Sequence, residues 1–187
     1  MANEIENLLP LIEILQSKQG NLNEYREALK MTENIRVPIY NYVARLAIDS
    51  SLISEMIVKV NWDLADIMSE HNAYVDKLLV QIKQLRVDFD ALKDRIPLDK
   101  CYLENIYRQC FRMCMKMLVD GYSSIKKCSN EGRALMQLDF QQLIVKLETL
   151  TEQRPLPDKE FVDSYIKAYY LPDSSIEKWI KEHPVSF

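Results

Sequence analysis

Six apolar residues, Val75, Leu78, Ile82, Leu85, Phe89 and Leu92, follow one another at steps of 3, 4, 3, 4 and 3. That period places all six on one stripe of an α-helix, with Asp76, Lys77, Lys83, Arg86, Asp88 and Lys93 left for a solvated opposite face. Met136, Phe140, Leu143, Leu147 and Leu150 repeat the pattern at steps of 4, 3, 4 and 3, and Ile5, Leu8, Ile12 and Leu15 do so over a shorter span. Between Tyr102 and Val119 two neighbouring stripes lie side by side, Leu103, Ile106, Cys110, Met113 and Met117 beside Tyr107, Phe111, Cys114 and Leu118. A face that wide suits a helix packed against several partners, so this segment is expected at the centre of a bundle. Burying one Leu or Phe is worth roughly 1.5–3 kcal/mol, so Phe111→Asp or Leu147→Asp is expected to destabilise the chain seriously.

Helix punctuation agrees with the stripes. Asn21 with Glu24 and Ser174 with Glu177 have capping-box spacing, and Asp99, Ser129 and Asp158 stand where N-caps belong. Pro38 fits the first turn of a helix, and the Arg154-Pro155-Leu156-Pro157 run must be extended or turned. Helices are predicted near 4–18, 22–33, 37–48, 51–60, 64–94, 100–127, 130–153, 159–170 and 174–182, with the third and fourth, or the fourth and fifth, free to fuse. No strand and no repeat is predicted. The fold class is therefore all-α, an elongated antiparallel bundle of roughly seven to nine helices. It is read as one domain over 1–187, with a sub-boundary near 60 and a helical extension at 155–187. Gly132, one turn into its helix, costs helix propensity relative to Ala; close approach of another helix or backbone is the expected compensation.

The same residues are poor in chemistry. Three glycines among 187 residues leave little for phosphate-cradling loops, and a net charge of −4 argues against a nucleic-acid binder. No window reaches the roughly 18 consecutive apolar residues of a membrane span, and the acidic N-terminal segment is unlike a signal peptide. The two histidines, His71 and His183, have no metal-ligand neighbours at a known spacing. Cys110 and Cys114 share a helix face, but Cys101 and Cys128 lie too far along that segment to converge with them on one ion. The four thiols are read as free and reduced. The carboxylate pairs Asp63/Asp66 and Asp88/Asp90 fall on polar faces. No catalytic residue, metal or cofactor is expected, and the chain is not read as an enzyme. Two surface features remain as candidate partner sites: the basic group Lys126, Lys127 and Arg133, and the aromatic group Tyr165, Tyr169, Tyr170 and Trp179, with Phe161 on the same helix. For the aromatics, packing back onto the bundle is favoured over an exposed docking face.

Several ordered blocks point further. They are Asn61-Trp62-Asp63 with Asp66-Ile67-Met68-Ser69 and His71-Asn72, then Tyr74-Val75-Asp76, Gly121-Tyr122, and the long run from Lys126 through Gly132 to Gln142. Pro157-Asp158-Lys159-Glu160-Phe161-Val162, Tyr165 to Leu171 and Trp179-Ile180-Lys181-Glu182-His183 continue them. Over about two-thirds of its length, from Asn61 to His183, the chain resembles the C-terminal region of the syndetin family; the residues before Asn61 add little. The resemblance implies a non-enzymatic subunit of a vesicle-tethering complex of the helical-rod, coiled-coil-containing type, the endosome-associated recycling protein (EARP) complex. It also implies three further subunits shared with the Golgi-associated retrograde complex, and SNARE proteins and small-GTPase-linked factors as partners. The expected setting is cytosolic, peripheral to recycling endosomes and the trans-Golgi network, in endocytic recycling and protein transport. Family members continue beyond the Trp-Ile-Lys-Glu-His block and carry an upstream rod, so the chain is expected to be a fragment or an isoform. Two alternatives stay open: a peripheral lipid-binding module using Lys126, Lys127 and Arg133, and a subunit of another helical-rod tether such as exocyst.

Overall fold

The structure, a computed structural model, describes residues 22–168 and 170–182, some positions near either end of that span by their backbone only. Seven helices and no strand occur among the described residues: α1 Leu22–Ala47, α2 Ser50–Lys59, α3 Ala73–Lys93, α4 Lys100–Ser123, α5 Asn130–Thr151, α6 Lys159–Ala168 and α7 Asp173–Glu182. The all-α expectation holds. The helix predicted at 4–18 and the Asn21 cap lie outside the described residues. The chain divides into two compact units, Met1–Val43 and Ala44–Phe187.

In the first unit and on to Ala47, the predicted 22–33 and 37–48 helices are one element. Pro38 therefore does not open a helix but lies inside one, where it removes a hydrogen bond to the carbonyl of residue 34. Both Pro38 and Asn34 are exposed, so water can satisfy that carbonyl.

The second unit is built around α4. Leu103, Ile106, Tyr107, Cys110, Phe111, Cys114, Met115, Met117, Leu118 and Tyr122 are all buried along it, a wide face as expected from the two stripes, except that Met113 is half-buried and Met115 is buried instead. Helices α2 and α6 both pack on α4, α3 lies against α2 and α5, and α6 is shared between α4 and α5. Val75, Leu78, Ile82, Leu85 and Phe89 are the buried stripe of α3, but Leu92 is 46% exposed, because α3 ends one residue later and the chain turns away. Met136, Phe140, Leu143 and Leu147 fill the α5 face as predicted, while Leu150 at the end of that stripe is half-buried.

Asp99 and Ser129 act as the predicted caps, and Asp49 adds one that was not predicted. The Asp99 carboxylate accepts from the N–H of Cys101 at 3.0 Å, Asp49 caps α2 through the N–H of Leu52, and Ser129 Oγ caps α5 through the N–H of Gly132. Asp49 separates α1 from α2, so those two helices do not fuse. Asp158 precedes α6 with a positive φ of 57°, its carboxylate facing Arg112. Helix α7 begins at Asp173, which puts Ser174 within its first turn rather than at the cap.

One predicted helical stretch is not helical. Residues 60–72 form an irregular loop, and α3 starts only at Ala73.

Candidate functional site

The 60–72 loop is held at both ends by groups far away in sequence. At its start Trp62 is buried, its indole N–H donating to the carbonyl of Ile57 at 2.9 Å and its ring meeting Tyr122 edge-on at 5.7 Å. The carbonyl of Trp62 accepts from the N–H of Ser129 at 3.0 Å and from its hydroxyl at 3.3 Å. The same Ser129 Oγ accepts from the N–H of Leu64 at 3.0 Å. One serine therefore caps α5 and fastens the loop to it. Gly132 makes this approach possible, since a Cβ there would lie 1.9 Å from the Trp62 carbonyl oxygen. The expected compensation for a helical glycine is thus a backbone, that of the loop.

At its far end the loop is tied to Asp139, a fully buried carboxylate. Asp139 accepts from the N–H of Asn72 at 2.8 Å, from the Asn72 amide at 2.8 Å and from the Tyr74 hydroxyl at 2.7 Å. The Tyr74 and Tyr122 hydroxyls are 2.8 Å apart, so Tyr122 touches the anchors of both loop ends. Burial raises the Asp139 pKa, an effect opposed by the bonds from Asn72 and Tyr74. Burial, with Tyr122 and Asp139 adding to it, pushes Tyr74 well above the ordinary tyrosine range. The sequence reading passed over Asp139, although its spacing carried the signal: it is three residues after Met136 and four before Leu143, a charged residue on the apolar side of α5. Nearby, His71 Nε2 lies 3.0 Å from Asp76 Oδ1 and 2.9 Å from Lys146 Nζ, which itself reaches Asp76 at 3.1 Å. Nε2 either donates to Asp76, tying the loop to α3, or accepts from Lys146, tying it to α5, while the Lys146–Asp76 pair joins the two helices. The bonds from His71 and Lys146 hold Asp76 below the usual carboxylate range.

The loop itself is exposed from Ala65 to Glu70. Ile67, at 77% exposure, is the most exposed large apolar side chain among the described residues, and Met68 beside it is 47% exposed.

The residues singled out from sequence are placed as follows. Lys126 and Lys127 are exposed on the 124–129 turn between α4 and α5. Arg133 is half-buried on α5 with its guanidinium 5.9 Å from the centre of the Tyr170 ring, so it faces an aromatic rather than standing free beside the two lysines. Tyr165 is half-buried; the residues α6 buries are Val162 and Ile166, one position along from the aromatic stripe. Tyr170 is exposed. Tyr169 lies outside the described residues, and Trp179 is on α7 with its side chain outside them.

Two clefts open on the second unit. The larger, about 510 Å³, is lined by Glu104, Arg108 and residues 152–158 with Glu160, a set with no hydroxyl, thiol or imidazole to act as nucleophile or base-activated donor. Gln153 donates across it to the carbonyl of Glu104 at 3.0 Å. The smaller, about 270 Å³, lies between Met56, Lys59, Val60, Asn72, Ala73 and Tyr74. Burial pushes the Cys110 thiol up to about 12 and Cys114 well above the usual value, the opposite of an activated thiolate. Among the described residues no group of three or more His, Cys, Asp or Glu could hold a metal ion, and no helix is long and apolar enough to cross a membrane. The arrangement presents surfaces, and its buried polar chemistry is spent on holding a loop.

Comparison with known proteins places these features. A family model described as "Syndetin, C-terminal" matches residues 1–186. Curated relatives named Syndetin from Gallus gallus, Mus musculus and Rattus norvegicus are each 42% identical over 186 residues, 98% of this chain. Those 186 residues are 20% of the chicken protein and 19% of the mouse and rat proteins, so the chain spans about a fifth of the length of the relatives it matches. The likeness includes the first sixty residues, although the recognisable blocks begin only at Asn61. No solved structure matches.

Proposed function

The chain belongs to the syndetin C-terminal family, and from that premise we propose that it serves as a non-enzymatic interaction module of a vesicle-tethering complex. Its role in this reading is endosomal recycling, by joining the other subunits of the complex at recycling endosomes and the trans-Golgi network, with SNARE proteins and small-GTPase-linked factors as partner classes. The observation that carries it is the match over residues 1–186 at 42% identity. The chemistry supports it: buried thiols far from activation, a cleft without hydroxyl, thiol or imidazole, and surfaces made by helices and one anchored loop. Of the candidate partner residues, Lys126, Lys127 and Tyr170 are exposed and are proposed as contacts, with Arg133 positioning the Tyr170 ring.

A chimera tests the proposal. The matching fifth of mouse syndetin is replaced by this chain and expressed in cells lacking syndetin. Recovery of the three shared subunits with the chimera, and a restored rate of receptor return to the plasma membrane, are expected. Normal subunit recovery without restored return would overturn the assigned role, and loss of both would overturn it as well.

A further inference from the structure

We propose that the 60–72 loop is a protein-docking element whose Ile67 and Met68 side chains enter an apolar pocket flanked by lysine or arginine on a partner protein. Isolated apolar side chains at a surface are ordinary, and Val58, Val80, Val87 and Val145 are such cases on their helices. Ile67 and Met68 differ in being adjacent and carried on a loop fixed at both ends. Trp62 and Leu64 are bound to Ser129 on one side, and Asn72 is bound twice to buried Asp139 on the other. A buried carboxylate and a glycine too crowded for any Cβ are both committed to that anchoring. Six exposed residues between fixed ends lose little further freedom on binding, which lowers the cost of using them as an anchor.

The loop's charge selects the partner. Asp63, Asp66 and Glu70 flank the apolar pair, there is no Lys or Arg from Val60 to Asn72, and His71 faces Asp76 and Lys146. Lys126 and Lys127 on the adjoining turn add two positive charges against these three negative ones. The balance remains negative, and Asp66 and Glu70 stand within one or two residues of the apolar pair. A basic-rimmed pocket is therefore complementary, whereas an anionic lipid surface is repelled.

This deepens the interaction-module reading and rests on it, and its test needs no other subunit, so the two fail separately. The probe is a fluorescent amphipathic peptide of about 18 residues built from leucine and lysine, five helical turns, with a leucine–glutamate peptide and anionic phosphatidylserine vesicles as counter-probes. The full 187-residue chain is expected to bind the lysine peptide by anisotropy, and neither counter-probe. The double substitution Ile67→Ser with Met68→Ser, and separately Asp66→Lys with Glu70→Lys, should each weaken binding about tenfold or more. Two controls of matched chemistry, Val80→Ser with Val87→Ser and Asp88→Lys with Asp120→Lys, should leave it within about twofold. Circular dichroism checks that each variant keeps its helix signal, which exposed positions permit. Equal weakening by the controls, unchanged binding in the loop variants, no binding at all, or preference for either counter-probe overturns the proposal.

Discussion

Gly132 and Asp139 show how far single residues reach. At Gly132 the neighbour of an added Cβ is a backbone carbonyl at 1.9 Å, which cannot move without breaking its bonds to Ser129. At Gly121 the neighbour is the Ile57 side chain at 3.0 Å, which can give way, and Ala regains helix propensity. Gly132→Ala is expected to cost at least about 3 kcal/mol and Gly121→Ala less than about 1.5 kcal/mol, measured by urea unfolding. Equal costs would mean that the loop is not seated where the structure puts it. Asp139 adds a pH signature. Its folded pKa is raised above the ordinary value of 3.8, so the folded state holds its proton longer than the unfolded chain does. Its ionisation-linked contribution is complete below that value and is lost as pH rises through the folded pKa. The stability difference between the parent chain and Asp139→Asn should therefore shrink from pH 4 upward. Asp76, with a lowered pKa, runs the other way: its contribution is present above the ordinary value and is lost as pH falls through the folded one. Gly132 was legible as an anomaly in the sequence, a costly residue in want of a neighbour. The identity of that neighbour was not, because Trp62 and Gly132 are seventy positions apart.

At the scale of elements, the apolar period located α3, α4 and α5, and side-chain oxygens located the starts of α4 and α5, whereas α3 begins at Ala73 with no side-chain cap. Ser129 does more than cap, since its hydroxyl also holds Leu64 and Trp62. Ser129→Ala should accordingly cost about 2 kcal/mol or more, against about 1 kcal/mol for Asp99→Ala, whose carboxylate accepts from the neighbouring N–H of Cys101. Thermal melting of the two variants separates these cases; similar losses would reduce Ser129 to an ordinary cap. Along the stripes, Leu147→Ala should cost about 2–5 kcal/mol and Leu92→Ala under about 1 kcal/mol, because Leu147 is buried and Leu92 is half in water. The helix predicted from residue 64 fails for a physical reason. The N–H of Leu64 is taken by a hydroxyl 65 residues away and that of Asn72 by a carboxylate 67 residues away, so tertiary partners replace the bonds a helix would have supplied. Pro38 is the converse case, a local breaker overridden within α1.

For the molecule as a whole, the thiols report how tightly the second unit is closed. Cys110 and Cys114 are buried on α4, whereas Cys101 and Cys128 are half-buried. Native protein should therefore present two cysteines to a thiol reagent at a measurable rate and release the other two only through global unfolding. Four fast thiols would show that α4 is not central. The amphipathic period and the caps determined by themselves that the described residues are helical without strands, where most of their helices lie, and, through its ordered blocks, which family the chain resembles. These are properties of neighbours three or four residues apart, and such distances are set by the helix itself. The loop that departs from that period, the buried carboxylate that anchors it and the exposure of Ile67 and Met68 were decided only by tertiary structure. Each depends on groups sixty or more residues apart meeting within hydrogen-bonding distance, and no local pattern records such a meeting.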